Sequence, residues 1–163
     1  MSTAASLVVG SDGSTIKGGS SRGVSTPADR SLFLQRRALA DVIIIGGNTA
    51  RTEPYAHTPA PLVVISRGLE NPLTANPKAH IWNTTPAQSL SRARDTFGPN
   101  ILIEAGPAII FELLHDKLID DLYLSVTPEI EGENPIDWRA LLSFFPQIQK
   151  SEVEGTLFFH AHH

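Results

Sequence analysis

The 163-residue chain contains no cysteine. It therefore has no disulfide, no thiolate metal site and no cysteine nucleophile, which fits a reducing compartment. It has no excess of basic charge. The formal net charge is -4, and Lys and Arg are scattered rather than clustered, so there is no electrostatic footprint for nucleic acid. No apolar run approaches the ~20 residues that span a bilayer. The stretch Met1 to Val9 lacks the basic start of a signal peptide. A cytoplasmic protein with neither a membrane nor a nucleic-acid partner is expected. Several fingerprints are missing too. There is no G-x-G-x-x-G after a strand, no G-x-x-x-x-G-K-[ST] and no G-x-S-x-G. Gly10-Ser11-Asp12-Gly13 lacks the later acidic ligands of a calcium loop. His57 and His80 have no partner nucleophile and read as surface residues. His160-Ala161-His162-His163 has no second ligand cluster, so it reads as a last strand fraying into a tail, and no metal site is expected.

What is present is an ordinary globular composition, 41% apolar and 18% charged, at a length that suits one domain over residues 1–163. Leu7-Val8-Val9 reads as a short first strand, followed by a long loop of small polar residues of the kind that is functional or disordered. Thr26-Pro27-Ala28-Asp29 starts a helix, with Ala28, Leu32 and Leu39 on one side and an end near Ala40. Strands follow at 42–45, 62–65, a weak one at 79–82, and 100–103. A short helix or turn over 48–52, a loop over 69–78, and helices over 85–97 and 107–115 lie between or after them. Alternation over 119–126 marks another strand, Pro128 to Pro135 a loop, 137–142 one or two helical turns, and 148–161 a strand or hairpin. The pattern is α/β: a mixed, mainly parallel sheet in three layers, with helices on both faces.

Three strand ends carry chemistry. Val42-Ile43-Ile44-Ile45 is apolar throughout, as in a strand buried on both faces, and breaks into Gly46-Gly47-Asn48-Thr49. The glycines allow a close ligand approach, and Asn48 and Thr49 suit the cap of a helix whose free N–H groups attract phosphate. Ser66-Arg67 offers a hydroxyl and a planar fork for a phosphate. Glu104-Ala105-Gly106-Pro107 ends the third strand. Parallel neighbours would bring all three loops to one edge, where open α/β sheets bind ligands. A phosphorylated nucleotide is the ligand these loops describe; as plain turns they would need none.

The order of these pieces, from Ser11-Asp12-Gly13 through Gly18-Gly19-Ser20-Ser21-Arg22, Arg37-Ala38-Leu39-Ala40-Asp41, Gly46-Gly47-Asn48-Thr49, Ser66-Arg67 and Glu104 to Leu118–Leu124 and Pro128, resembles the RibD C-terminal type of reductase domain of riboflavin biosynthesis. The resemblance covers roughly residues 6–132. It implies a dihydrofolate-reductase-like fold, NADPH as hydride donor, a homodimer, and a small heterocyclic substrate, the 5-amino-6-(5-phosphoribosylamino)uracil of that pathway. It further implies cofactor contacts from Gly46, Gly47, Asn48, Thr49, Ser66, Arg67, Ala105, Gly106 and Pro107, the Ser66–Arg67 pair holding the 2′-phosphate. Glu104 and Asp12 become the catalytic candidates, and Ser11 and Glu53 substrate contacts. Taken as residues alone, Asp12 equally suits an Asx turn with Gly13, and Glu104 a cap on the helix from Pro107.

The chain departs from the family pattern in three places. No Lys follows Asp12-Gly13, Ala105 stands where a Gly is usual, and the loop Pro54 to Pro59 lacks the Arg that holds a sugar phosphate. A reductase of another pterin- or folate-like heterocycle, or a non-catalytic NADP-binding protein of the same fold, are the alternatives these departures leave.

Overall fold

The first strand in the chain lies near the middle of the sheet. The computed structural model describes residues 2–68 and 70–163; Met1 and Leu69, the latter in the expected 69–78 loop, lie outside the described residues. β1 (Ser2–Gly10) is nine residues long, not the three apolar residues the sequence offered. Its first half is small or polar, yet Thr3 is buried because its polar atoms are answered. The backbone N–H of Thr3 donates to Asp120 Oδ2 at 2.8 Å, and its hydroxyl accepts from Arg94 at 2.9 Å. Reading apolarity alone misses such a strand.

The remaining elements are α1 (Pro27–Ala38), β2 (Val42–Gly46), α2 (Gly47–Thr52), β3 (Leu62–Ile65), β4 (Ala79–Trp82), α3 (Pro86–Phe97), β5 (Asn100–Ile103), α4 (Pro107–His115), β6 (Asp121–Thr127), α5 (Trp138–Leu142), β7 (Gln147–Val153) and β8 (Thr156–His162). They form one eight-stranded sheet in the order β4-β3-β2-β5-β1-β6-β8-β7. Strands β1 to β6 pair in parallel; β6 with β8 and β8 with β7 are antiparallel. The sheet is thus mixed and mainly parallel, as expected.

Each face of the sheet has its own core. On one side Ile44, Val63, Ile101, Ile103, Leu122 and Leu124 pack with Leu90 of α3, Leu113 of α4 and Leu141 of α5. On the other, Ile43, Ile45, Leu62 and Val64 meet Ala50 of α2 and the loop residues Tyr55, Ala60 and Leu73. The alternation explains why β2 reads as continuously apolar: both of its faces are covered. Helices α1 and α3 begin as expected, capped by Thr26 and Thr85, the latter in a capping box with Gln88.

Helix α1 corrects the sequence reading. Its buried residues are Asp29 and Arg37, and Leu39, expected on its inner side, lies past its end and is 80% exposed. This helix faces polar groups rather than an apolar core, so its apolar spacing misleads. The strand or hairpin expected over 148–161 is a hairpin, and only the tail reading of its histidines is corrected. Residues 147–162 form a β-hairpin whose turn places Glu154 and Gly155 at φ 51° and 83°, the left-handed pair that two-residue hairpin turns demand. His160 and His162 belong to β8 rather than to a tail, and His160 Nε2 lies 2.7 Å from Asp121 Oδ1. Among the described residues no helix is long and apolar enough to cross a membrane.

Burial separates two leucine-sized positions cleanly. Ile44, 1% exposed at the sheet centre, should lose about 2–5 kcal/mol on substitution by Ala. Leu39→Ala should stay within about 0.5 kcal/mol. Urea unfolding measures both, and equal losses would contradict this placement of α1.

Candidate functional site

Because β1, β2, β3 and β5 run in parallel, their carboxyl ends share one edge of the sheet. A cleft of about 570 Å³ opens there, between α1, the turns after β2 and β5, and the loop after α2. Its size is that of a small-molecule or cofactor site. The sheet edge thus assembles Gly46, Gly47, Asn48, Thr49, Glu53, Glu104, Ala105, Gly106 and Pro107 around one space.

The two turns are built differently from the expected cap. Helix α2 starts at Gly47 with Gly46 as its N-cap and no side-chain cap. Asn48 accepts through Oδ1 from Arg51 instead. Helix α4 likewise starts with Gly106 as an N-cap and no capping side chain, so Glu104 does not cap it. Gly106 has φ -64° and nothing within 4 Å of where a Cβ would stand. Neither backbone strain nor protein packing requires glycine there; the space it leaves belongs to the cleft. Ala105 is buried and has no positive φ, which is why its methyl group is accommodated. At Gly46 a Cβ would stand 2.9 Å from Ile109 Cδ1, so this glycine serves close packing between β2 and α4.

The floor of the cleft is an ion pair that the sequence did not announce. Arg37 Nη2 donates to Glu104 Oε1 at 2.8 Å, and Arg37 Nε donates to Oε2 at 3.0 Å. The Tyr55 hydroxyl donates to the same Oε1 at 2.7 Å. The two charged side chains are 8% and 2% exposed. Burial works against the Arg37 charge, but Glu104 outweighs it and the guanidinium pKa lies above its ordinary value. Burial first, and then the neighbouring carboxylate, push the Tyr55 phenol well above its usual range, so Tyr55 keeps its proton and acts as a donor. The guanidinium also lies 4.4 Å from the Phe33 ring centroid and 4.9 Å from that of Tyr55. Asn76, itself buried, donates to the Tyr55 carbonyl at 2.9 Å and fixes that loop. Arg37 hid among the basic residues of a helix end; a lone tyrosine after a proline in a polar loop was the one available hint of Tyr55.

At the rim, Glu53 lines the cleft but is occupied within the chain. Its carboxylate accepts from Ser20 Oγ at 2.9 Å and from the Ser21 N–H at 2.7 Å, fixing the glycine-rich loop above it. Asp12 and Ser11, expected over the substrate, do not line the cleft. Asp12 is exposed and makes the Asx turn: Oδ1 accepts from the Ser14 N–H at 3.1 Å and from its hydroxyl at 2.6 Å, and Oδ2 accepts from the Glu131 N–H at 2.8 Å. The Ser14 hydroxyl, then the two N–H groups, hold the Asp12 carboxyl below its ordinary pKa. Ser11 is exposed and its hydroxyl reaches the Glu129 carbonyl. Both clip the first loop to the 129–136 segment. Ser66 and Arg67 stand just beyond the cleft. Ser66 Oγ and Arg51 Nη1 each lie 3.3 Å from where a Cβ on Gly47 would stand, and Arg67 is exposed. Arg51 is a cation beside the glycine turn that sequence reasoning passed over. Among the described residues no group of three or more His, Asp or Glu is arranged to hold a metal ion.

Removing Arg37 leaves Glu104 as a buried charge without its counter-ion. Arg37→Met should cost about 3–5 kcal/mol of stability, read from chemical unfolding. A loss under about 1 kcal/mol would show that the pair is not held as described.

The structure superposes on a pyrimidine reductase-like protein of Corynebacterium diphtheriae with a TM-score of 0.72 at 19% identity, covering 99% of this chain and 91% of that one. It superposes on Acinetobacter baumannii RibD at 0.68 and 18%, covering 99% of this chain and 57% of RibD. A Thermotoga maritima diaminohydroxyphosphoribosylaminopyrimidine deaminase/5-amino-6-(5-phosphoribosylamino)uracil reductase gives 0.70 at 12%, covering 98% and 56%. The chain therefore spans just over half of these last two proteins. At such identities the likeness is one of fold. Comparison with curated protein sequences finds no match. The family model of the RibD C-terminal domain matches residues 3–141, and the chain belongs to that family.

Proposed function

We propose that this chain is an NADPH-dependent reductase of a small heterocycle, of the kind that reduces 5-amino-6-(5-phosphoribosylamino)uracil. The observation that carries this reading is the convergence of the Gly46–Thr49 and Ala105–Pro107 turns on one cleft whose floor is Glu104. The residues suit a dinucleotide. Gly106 opens onto free space beside the uncapped start of α4, which favours a phosphate at the turn. Ser66, Arg67 and the Gly47 turn would hold the adenosine end, with the Ser66–Arg67 pair on the 2′-phosphate. When bound, the reduced nicotinamide supplies a hydride to the acceptor carbon. The chain contributes position and exclusion of water: the apolar walls at Phe33 and Ile109 and the rigid floor hold the acceptor in place. Glu104 serves as a hydrogen-bond acceptor for the substrate. Asp12, outside the cleft, is given no catalytic part and acts by holding the first loop in place.

Binding measurements test the cofactor assignment. NADPH should bind more tightly than NADH. Arg67→Ala should weaken NADPH by about tenfold, the loss of one charged hydrogen-bonding partner, and leave NADH unchanged. Equal affinities that ignore the substitution would contradict it. Cofactor binding without NADPH oxidation across pyrimidine, pterin and dihydrofolate substrates would favour a non-catalytic NADP-binding protein.

The proposed form is a cytoplasmic homodimer. Half-buried Tyr123, His160 and His162 share one face of the antiparallel end of the sheet, and β7 at its edge is exposed along its whole length. Sedimentation should return twice the 17.6 kDa of one chain; a monomer at micromolar concentration would refute this form.

A further inference from the structure

Asp29 is the second buried carboxylate on the cleft, and unlike Glu104 it has no ion pair. It sits in the first turn of α1 at 6% exposure and lines the cleft with Arg30, Phe33 and Arg37 of the same helix. Its Oδ2 accepts the Ser25 hydroxyl at 2.6 Å. Oδ1 has no hydrogen-bond partner among the described residues, and no Lys, Arg or His there forms an ion pair with either oxygen. Arg36, two turns further on, feels the Asp29 charge but is engaged elsewhere. Its Nη1 donates to Ser6 Oγ at 3.2 Å, and its guanidinium lies 4.4 Å from the Tyr123 ring centroid. Among the described residues, the side-chain polar atoms sealed inside without a partner are Thr84 Oγ1, Arg94 Nε and Ser125 Oγ. Asp29 Oδ1 is not one of them, so it keeps some exposure, and the space that Asp29 borders is the cleft.

We propose that Asp29 holds a hydroxylated arm of the substrate, Oδ1 accepting one hydroxyl of that arm while the heterocycle lies at the Glu104 floor. This inference rests on the heterocycle-reductase reading of the cleft and narrows it. Asp29 stands eight residues before Arg37 on one helix, a rise of about 12 Å along the axis. A single heterocyclic ring at the floor does not span that separation. A five-carbon chain carried on the ring does, with Phe33 as the apolar wall between. The donor that suits Oδ1 is a neutral one. A phosphate placed there would meet a buried negative charge, and juxtaposed like charges are strongly unfavourable. A cationic arm would enter a cleft that Arg22, Arg30 and Arg37 already line. A hydroxyl avoids both conflicts and makes the short, charge-assisted bond that Ser25 already makes on Oδ2. An arm without a hydroxyl would displace water from Oδ1 and leave it unpaired, the situation that polar pockets reject most strongly.

Two lumazines, 6,7-dimethyl-8-ribityllumazine and 6,7,8-trimethyllumazine, share one fluorescent ring system and differ in the arm, a five-carbon polyol or a methyl group. Fluorescence titration of each, with and without saturating NADPH, measures the preference directly. The native protein should bind the ribityl compound about tenfold more tightly or better. Asp29→Ala should weaken the ribityl compound alone and bring the two ligands to within about threefold. A merely structural role for Asp29 would weaken both. A native ratio below that tenfold overturns the inference, as does an unchanged ratio in a folded Asp29→Ala protein. In either case the lumazines still bind and the reductase reading stands. Binding of neither ligand under any condition overturns that reading, and the inference with it. Should Asp29→Ala lose its native circular dichroism, Asp29→Asn, which keeps the shape and removes the charge, takes its place. It should lower the ratio by about threefold or more, and an unchanged ratio there overturns the inference.

Discussion

The buried contact between Arg37 and Glu104 is the constraint on which the rest of the cleft depends. It ties the last turn of α1 to the end of β5, and through Tyr55 it adds the loop that follows α2. Those three pieces come from distant parts of the chain, and while the Tyr55 loop and β5 share an apolar cluster, α1 contributes no buried apolar residue to it. A helix with Asp29 and Arg37 as its buried residues would gain little by lying on a sheet; the bidentate bond gives it a fixed seat. Buried ion pairs seldom add net stability over an apolar equivalent, so the arrangement is better understood as a means of fixing geometry around an open space.

That fixed geometry divides the cleft into two kinds of wall. The turns after β2 and β5 present backbone and glycine, and their helices begin without side-chain caps, an arrangement open to a ligand's phosphates. The α1 and Tyr55 side presents side chains already committed to one another. Glu53 and Asp12 extend the same logic outward. Glu53 accepts a hydroxyl and an N–H from the glycine-rich loop, and Asp12 holds its own turn through Ser14 and the 129–136 segment through the Glu131 N–H, so each orders a loop that the sequence suggests is loose. Asp41, Asp120 and Asp137 likewise accept from backbone N–H groups. Glu104, the acidic candidate at the floor of the cleft, accepts from the side chains of Arg37 and Tyr55 instead.

Much of this was legible in the sequence where a residue's neighbours in the chain determine its state. The strand at β2, the caps at Thr26 and Thr85, and the helix opened by Pro107 follow from local chemistry, and each stands where expected. The order of the glycine turns likewise carried the family resemblance. What was not legible depends on distant partners. β1 extends to Ser2 because Asp120 and Arg94 satisfy Thr3, more than 90 residues away. Leu39 lies in solvent because α1 faces a cleft, and no periodicity distinguishes a helix over a core from one over a cavity. Arg37 and Tyr55 became site residues only through Glu104, 67 and 49 positions further on. Asp12 shows the converse: the Asx turn that its own neighbours in the chain suggest is the arrangement it adopts.

The central claim is that this cleft receives NADPH with the nicotinamide beside an intact Glu104 floor. A crystal structure of the protein with NADPH bound tests it most directly. The account predicts cofactor density running along Gly46–Thr49 and Ala105–Pro107, the nicotinamide next to Glu104, and the Arg37 and Tyr55 contacts to that carboxylate unchanged. Cofactor bound away from these turns, or a floor that opens so that Arg37 releases Glu104, would contradict it.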